Sequence, residues 1–443
     1  MTIVFISVFL DKFLSRQPAC AQTPLWLAWF CIWFAASCQQ AVADAVANPS
    51  GADSAVAEVV ANESGAHSAV SEVVANPSGA DSAVAHAPSD PFVVRSAVPD
   101  DALTATFFNR HGWTGGDANY SLALSESRSL WLFGDTFIGT IDGSRRFAPR
   151  MVHNTAAWLD GEKKPLFFWN RKLPAGADLL RPPAGESGYY WPGALITTGD
   201  KLAIFCKRIE DTTGVKDGFG FDWVGQDVVL VDNPKARPDF WRTRTVPLKL
   251  HNKSIFPGSA AWADARYVYV FSTLHGEDKA AHPAVLERIG KTDLASGDAT
   301  KFEYWCAGKK GLNKGEWLSE PTDPVVLFED AAPEMSVTQA CGLPGLWAIY
   351  SPKGLSSDIL ARHADRPEGP WSAPILLFHC PESDSNPSIF CYGAKAHPEL
   401  TTCAGEFVVS YCLNLKQFKQ HQTNPTIYFP HFIRVKIATR SAN

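Results

Sequence analysis

Two aspartates set the chemistry open to this sequence. Asp117 stands in the stretch Gly115-Gly116-Asp117-Ala118-Asn119-Tyr120-Ser121, and Asp135 in Trp131-Leu132-Phe133-Gly134-Asp135-Thr136. If Glu126-Ser127 is the turn of a hairpin, antiparallel register sets position 117 opposite 135, and directly opposed Cβ atoms lie about 4.5–5.5 Å apart. Two carboxylates that close cannot both ionise freely, so one pKa rises and the pair shares a proton near neutral pH. One proton donor beside one base or nucleophile is the division of labour that cleaving a glycosidic bond requires. Two other uses of the same residues stay open: a Ca²⁺ site with both carboxylates as hard oxygen ligands, and aspartates that only close turns after glycine. By position, Asp117 at the start of the inner strand is the base or nucleophile, and Asp135 is the acid.

Further polar and aromatic residues stand near the start of later strands. His153-Asn154 offers hydrogen bonds to sugar hydroxyls, or else caps a loop and packs in the core. Tyr189-Tyr190-Trp191 precedes a hairpin, where Trp191 can stack on a sugar ring or serve the core. Lys395 and His397 open the last hairpin, with His397 a candidate for the pocket rim, and Glu334 before the fourth is a candidate further acid. Arg362 is read as a structural salt-bridge residue.

To bring these residues together the chain must fold as β-structure. From about Pro91 onward it consists of short β-branched and aromatic runs bounded by Gly, Pro, Asp and Asn, with almost no helical period. Five stretches share one pattern, a small or polar opening, a tight turn and an aromatic-rich return. They are DANYSLALSESRSLWLFGD, WPGALITTGDKLAIFCK, FPGSAAWADARYVYVFS, VTQACGLPGLWAIYS and YGAKAHPELTTCAGEFVVSY. Five such hairpins predict an all-β, five-bladed β-propeller over residues 91–443. A β-sandwich is the alternative, but it would not need each hairpin to open on a small or polar residue as strands crowded round a solvated channel do.

Residues 1–45 read as a signal peptide or N-terminal anchor, with Lys12 and Arg16 ahead of the apolar run Leu25 to Ala36 and cleavage after Ala43 or Ala45. Cys38 offers a poorer match to a lipidation site. Residues 46–90 hold a repeat of period 14 (VANPSGADSAVAEV, VANESGAHSAVSEV, VANPSGADSAV), rich in Ala, Ser and Val, which reads as a disordered spacer. The expected location is periplasmic or extracellular, with membrane attachment only through a retained N-terminus.

Hydrophobic residues make up 46% of the 443 and aromatics 12%, ample for a core with aromatic faces to spare. The net charge of -6 leaves no basic stripe, which excludes a nucleic-acid partner. Seven of the ten cysteines lie beyond residue 200, none in a C-x-x-C pair or at metal-ligand spacing with His, so no zinc site is expected. Cys391, Cys403 and Cys412 either supply a disulfide or serve as small buried hydrophobes. No cofactor is called for beyond the structural Ca²⁺ already mentioned.

The sequence GGDANYS…LWLFGDT, with HNTAAW (153–158) and YGAKAHPEL…FVVSYCLN (392–414), resembles a domain-of-unknown-function group of five-bladed propellers. That group includes endo-D-arabinanases acting on mycobacterial cell-wall arabinan. The likeness covers roughly residues 100 to 435. Two aspartates in the same frame are the implicated catalytic carboxylates of that group, which implies this role for Asp117 and Asp135. The looser motifs imply no particular substrate. The expectation is an exported glycoside hydrolase acting on a polysaccharide or oligosaccharide, such as an arabinofuranoside-containing one. The alternative is a non-catalytic carbohydrate-binding or surface-interaction propeller using the same pocket.

Overall fold

A computed structural model describes residues 90–440, apart from 162, 172–177, 213–219, 252–253, 276–281, 309–314 and 402. The leader over 1–45 and the repeat spacer, except its last residue Asp90, lie outside the described residues.

The chain is mostly β, and each expected hairpin forms the first two strands of an antiparallel sheet. The pairs are β3 (Tyr120–Ala123) with β4 (Arg128–Phe133), β9 (Tyr189–Thr198) with β10 (Lys201–Asp211), and β13 (Ile255–Ala263) with β14 (Tyr267–Leu274). The last two are β18 (Met335–Thr338) with β19 (Leu346–Tyr350) and β22 (Ile389–Ala396) with β23 (Glu406–Leu415). The second strand of each pair is a near-continuous buried run, as in Leu130-Trp131-Leu132-Phe133 and Leu346-Trp347-Ala348-Ile349-Tyr350. A strand covered on both faces gains from apolar side chains in both directions, so alternation disappears.

The first sheet adds β7 (Thr155–Asp160) and β8 (Leu166–Phe168), and the second β11 (Phe221–Val231) and β12 (Thr243–Pro247). The third adds β15 (Ala284–Gly290), β16 (Glu303–Cys306) and β17 (Glu316–Leu318), and the fourth β20 (Asp358–Ala364) and β21 (Ile375–His379). The fifth is completed by β24 (His431–Thr439) and then β1 (Phe92–Pro99), paired from Phe92↔Thr439 to Pro99↔Ile433. The two ends of the domain thus share one sheet.

First strands of successive sheets meet side by side. Gly193 on β9 is so close to β13 that a Cβ there would stand 2.6 Å from the carbonyl oxygen of Gly258, and Ala396 N donates to Ser336 Oγ at 2.8 Å between β22 and β18. Tyr120 reaches from β3 to the carbonyl of Ser259 on β13 (3.0 Å), and Ser121 bonds His397 Nδ1 at 2.6 Å, joining first and fifth sheets. A ring of meander sheets about such a centre is the β-propeller arrangement.

The β3–β4 register is the expected one, with Tyr120↔Leu132 and Ala123↔Ser129. One feature was not expected. The same ladder runs on past the aspartates into β2 (His111–Gly116) and β5 (Thr136–Asp142), with Gly116↔Thr136, and β6 (Arg145–Val152) completes a separate three-stranded side sheet. At the split, Ala118 (φ 67) and Asn119 (φ 52) adopt left-handed backbone, which turns the chain between the two sheets. Asp117 and Asp135 occupy this junction, with Gly134 N donating to Asp117 O at 3.1 Å and Asp117 N to Asp135 O at 3.4 Å.

Among the described residues Cys206, Cys306, Cys380, Cys391 and Cys412 are buried thiols outside any disulfide. Cys412 accepts a hydrogen bond from Asn119 Nδ2 at 2.9 Å, beneath the junction.

Candidate active site

Asp117 leaves the ladder at the junction and turns toward the fifth sheet. Its Oδ2 accepts the hydroxyl of Tyr392, from β22, at 2.8 Å, and the hydroxyl of Tyr428, from the segment before β24, also bonds the carboxylate. Gly134 permits the approach, since a Cβ there would lie 2.6 Å from Asp117 Oδ1. Burial, then the negative charges of Asp135 and Glu334, push the Asp117 carboxyl up to about 8, against the opposing pull of the two tyrosine hydroxyls.

Asp135 faces the second sheet instead. Its Oδ1 accepts the indole N–H of Trp191 at 2.9 Å and bonds Nδ1 of His153 at 2.9 Å. His153 is fixed from two sides: its backbone N–H donates to Asp178 Oδ1 at 2.7 Å, and its ring stacks on Tyr189 at 3.5 Å and 12°. Burial disfavours the charged imidazole, but the hydrogen bond and charge of Asp135, with Asp178 and Asp211 behind, outweigh it and raise the His153 pKa. Phe221 packs edge-on against Trp191 at 4.5 Å, and Tyr189 donates to Asp211 at 2.8 Å. The result is an aromatic wall beside Asp135.

A third carboxylate approaches from the fourth sheet. Glu334 Oε2 accepts from Lys395 Nζ at 2.7 Å, and Lys395 lies over the Tyr120 ring at 4.5 Å. Burial would raise Glu334, but Lys395 and Lys207 outweigh it and the net shift is downward. Lys207 donates to Pro333 O at 2.9 Å, and burial lowers its own pKa to about 8.

The expected residues therefore divide. Asp117, Asp135, His153, Trp191, Glu334 and Lys395 converge. Asn154 does not take part: its Nδ2 donates to the carbonyls of Leu180 (3.0 Å) and Tyr190 (2.9 Å), while its Oδ1 accepts from Leu180 N (2.6 Å). His397 is 1% exposed, with Nδ1 on Ser121 and Nε2 on Ser410 (2.7 Å) and its ring stacked on Trp131 at 4.5 Å. It is buried against Trp131 and has no free ring nitrogen to offer a ligand. Arg362 makes the structural pair expected of it, with Asp330 at 2.8 Å. Tyr392, Tyr428 and Lys207 escaped the sequence reading. Tyr392 stands in the quoted motif YGAKAHPEL, but no local pattern singles out any of the three.

Chemically, the site offers one carboxyl that holds its proton at neutral pH beside a second that is presented as an acceptor. Among the described residues no group of three or more His, Cys, Asp or Glu side chains could hold a metal ion.

Comparison with solved structures shows a similar fold in a candidate hydrolase from Bacteroides ovatus, at 19% identity and a TM-score of 0.62, covering 76% of this chain and 90% of that one. An endo-arabinase from Bacteroides thetaiotaomicron is looser, at 13% identity and a TM-score of 0.38 over 76% of this chain and 99% of that one, too distant to bear on function. No curated protein sequence matches the chain significantly. The family is nonetheless shown over most of the molecule: with residues 100–437 matched, the chain belongs to the family described as Domain of unknown function (DUF5005).

Proposed function

We propose that this protein is a glycoside hydrolase acting on a polysaccharide, in which Asp117 is the proton donor and Asp135 the base or nucleophile. The five meander sheets are its five blades, closed by the pairing of β1 with β24. The observation that carries the reading is the unequal treatment of two neighbouring carboxyls: Asp117 is pushed up to about 8, while Asp135 accepts from Trp191 and bonds His153. These roles are the reverse of those that position along the strand implied.

In the reaction, Asp117 gives its proton to the glycosidic oxygen as the bond to the anomeric carbon breaks. Asp135 then either attacks that carbon or takes a proton from the water that does. Trp191 and His153 hold Asp135 in place, and the wall of Trp191 and Tyr189 gives a sugar ring an apolar face to lie on. Glu334, paired with Lys395, adds a negative charge near Asp117 that helps it to keep its proton. The resemblance to propellers that include endo-D-arabinanases makes an arabinofuranoside-containing polymer the first substrate to try. The leader features Lys12, Arg16 and Leu25 to Ala36 extend the reading to export, so that the enzyme meets its polymer outside the cytoplasm.

The test is sugar release from a panel of polysaccharides, D-arabinan and L-arabinan included, by the parent and its Asp117→Asn and Asp135→Asn variants. Release by the parent that both variants lose, with the fold intact, is expected. Binding without release in all three proteins would replace the enzyme with a carbohydrate-recognition propeller.

A further inference from the structure

Arg146, on β6 of the side sheet, is 3% exposed, and among the described residues it makes no ion pair. Burying a guanidinium without a carboxylate is costly unless its donors are all occupied. Here four of its five N–H donors are occupied, by oxygens of the backbone and one threonine. Nη1 donates to His421 O at 2.6 Å, and Nη2 to Thr114 O at 2.8 Å and Pro425 O at 3.2 Å. Nε donates to Thr114 Oγ1 at 3.3 Å, and the group lies over the Phe137 ring at 4.5 Å. One side chain thus ties two carbonyls of the connection between β23 and β24 to the side sheet.

That connection, residues 416–430, contains only the short 3₁₀ turn Phe418–Gln422. A segment with so little regular structure has few means of its own to hold a side chain still. Yet it delivers two groups to the site. The single hydroxyl hydrogen of Tyr428 is shared between two acceptors, the Asp117 carboxylate and Asp135 O, the latter at 3.1 Å. His421 bonds Asn414 Oδ1 through Nε2 at 2.7 Å, Asn414 Nδ2 donates to the Tyr392 hydroxyl at 3.3 Å, and Tyr392 donates to Asp117. Since Asn414 Oδ1 can only accept, His421 carries its hydrogen on Nε2. The side sheet also makes room for the segment: at Gly115 (φ 152) a Cβ would stand 2.0 Å from Tyr428 O.

We propose that the side sheet is a positioning device for the reactive carboxyl, in which Arg146 clamps the carbonyls of His421 and Pro425 and thereby holds Tyr428, and through Asn414 also Tyr392, against Asp117. This rests on the reading of Asp117 as proton donor. Arg146 touches neither aspartate, so it is a positioning residue whose influence travels through the segment. The groups that face Asp117 are Asp135 at the junction, Glu334 before β18, Tyr392 and Cys412 on the fifth sheet, and Tyr428; Arg146 is not among those that shift it. The planar fork matters, because a lysine ammonium cannot reach several carbonyls in one plane.

The test is a carbon-13 NMR titration of the Asp117 carboxyl, assigned with Asp117→Asn, in the parent and in Tyr428→Phe, Arg146→Met, the double variant and Arg146→Lys. Tyr428 stabilises the charged carboxylate, so Tyr428→Phe should move the midpoint upward by about one pH unit. Arg146→Met should move it upward by at least as much, since the Tyr392 link loosens as well, and the double variant no further than Arg146→Met alone. Arg146→Lys should move it in the same direction, and stands in if the Met variant does not fold. An unchanged midpoint in the Arg146 variants, with only the melting temperature lowered, would overturn the inference, as would shifts that add in the double variant. The titration needs no substrate. A protein that cleaves no polymer but shows these shifts loses the hydrolase reading alone, and an active enzyme without them loses this inference alone.

Discussion

The two sides of the site treat the same residue type in opposite ways. On the side of the fifth sheet, Asp117 is enclosed by two tyrosine hydroxyls and lies near Glu334. On the side of the second sheet, Asp135 keeps about a quarter of its side-chain surface (23%) open and meets an indole and an imidazole. The backbones of the two residues are joined by a single long hydrogen bond, so position along the ladder hardly separates them. What separates them is the direction each side chain takes where the ladder splits. A like-charge pair is resolved by unequal surroundings: desolvation and two negative charges raise the Asp117 carboxyl, while Asp135 is held by an indole and an imidazole.

The largest effects should come from removing either member, and they should differ in kind. Asp117→Asn is expected to lower sugar release from a polymer by roughly 10²–10⁴-fold, the usual worth of general acid catalysis. The loss should be much smaller on an aryl glycoside whose leaving group needs no proton. Asp135→Asn should fail on both substrates. Steady-state rates on the two substrates check this, and equal losses for both variants on both would break the asymmetry.

Next in size is His153. Replacing it with Phe keeps a ring to stack on Tyr189 but removes the Nδ1 contact with Asp135, and hydrogen bonds to charged groups contribute about 1.5–3 kcal/mol. The turnover number should therefore fall by roughly 10- to 100-fold, while an aryl substrate offers no relief. Relief by a good leaving group would place His153 on the acid side and undo the division.

Much of this arrangement was legible from the residues. The β3–β4 register follows from a turn and a two-residue period, and the five hairpins show through because each second strand is apolar on both faces. What could not be read is what arrives from afar. Tyr392 and Tyr428 reach Asp117 across more than two hundred and fifty residues of sequence, and their neighbours mark neither for the task. The side sheet was hidden because it continues the hairpin ladder that had already been assigned. His397 shows a different limit. It follows a register shift between Tyr392 and Lys395 on β22, and a bulge changes which face later residues present. Polar character at the opening of a strand does not say whether a side chain meets the channel or the core.

Smaller effects should sharpen the same contrast. Donation by Asp117 requires its protonated form, so activity should fall as pH rises through about 8. Tyr392→Phe removes a hydrogen bond that favours the charged form, and the alkaline limb of the pH–rate profile should move upward by about one unit. A downward shift would mean that the hydroxyl serves the protonated carboxyl instead.

The smallest effect on catalysis should come from His397. Burial, then the charge of Lys395, bring its pKa down to about 3, so it is a neutral ring at any working pH. Its two nitrogens serve Ser121 and Ser410, and its face lies on Trp131. His397→Ala would take the ring partner from Ser410, leave Ser121 with Glu399 alone and open a gap over the indole, at an expected cost of about 2–3 kcal/mol in stability, read from urea denaturation. Sugar release per folded molecule should stay within about twofold of the parent, since the ring meets neither aspartate. A variant that kept its stability but lost release would put His397 on the rim, and the wall beneath Asp117 would then belong to the substrate rather than to the scaffold.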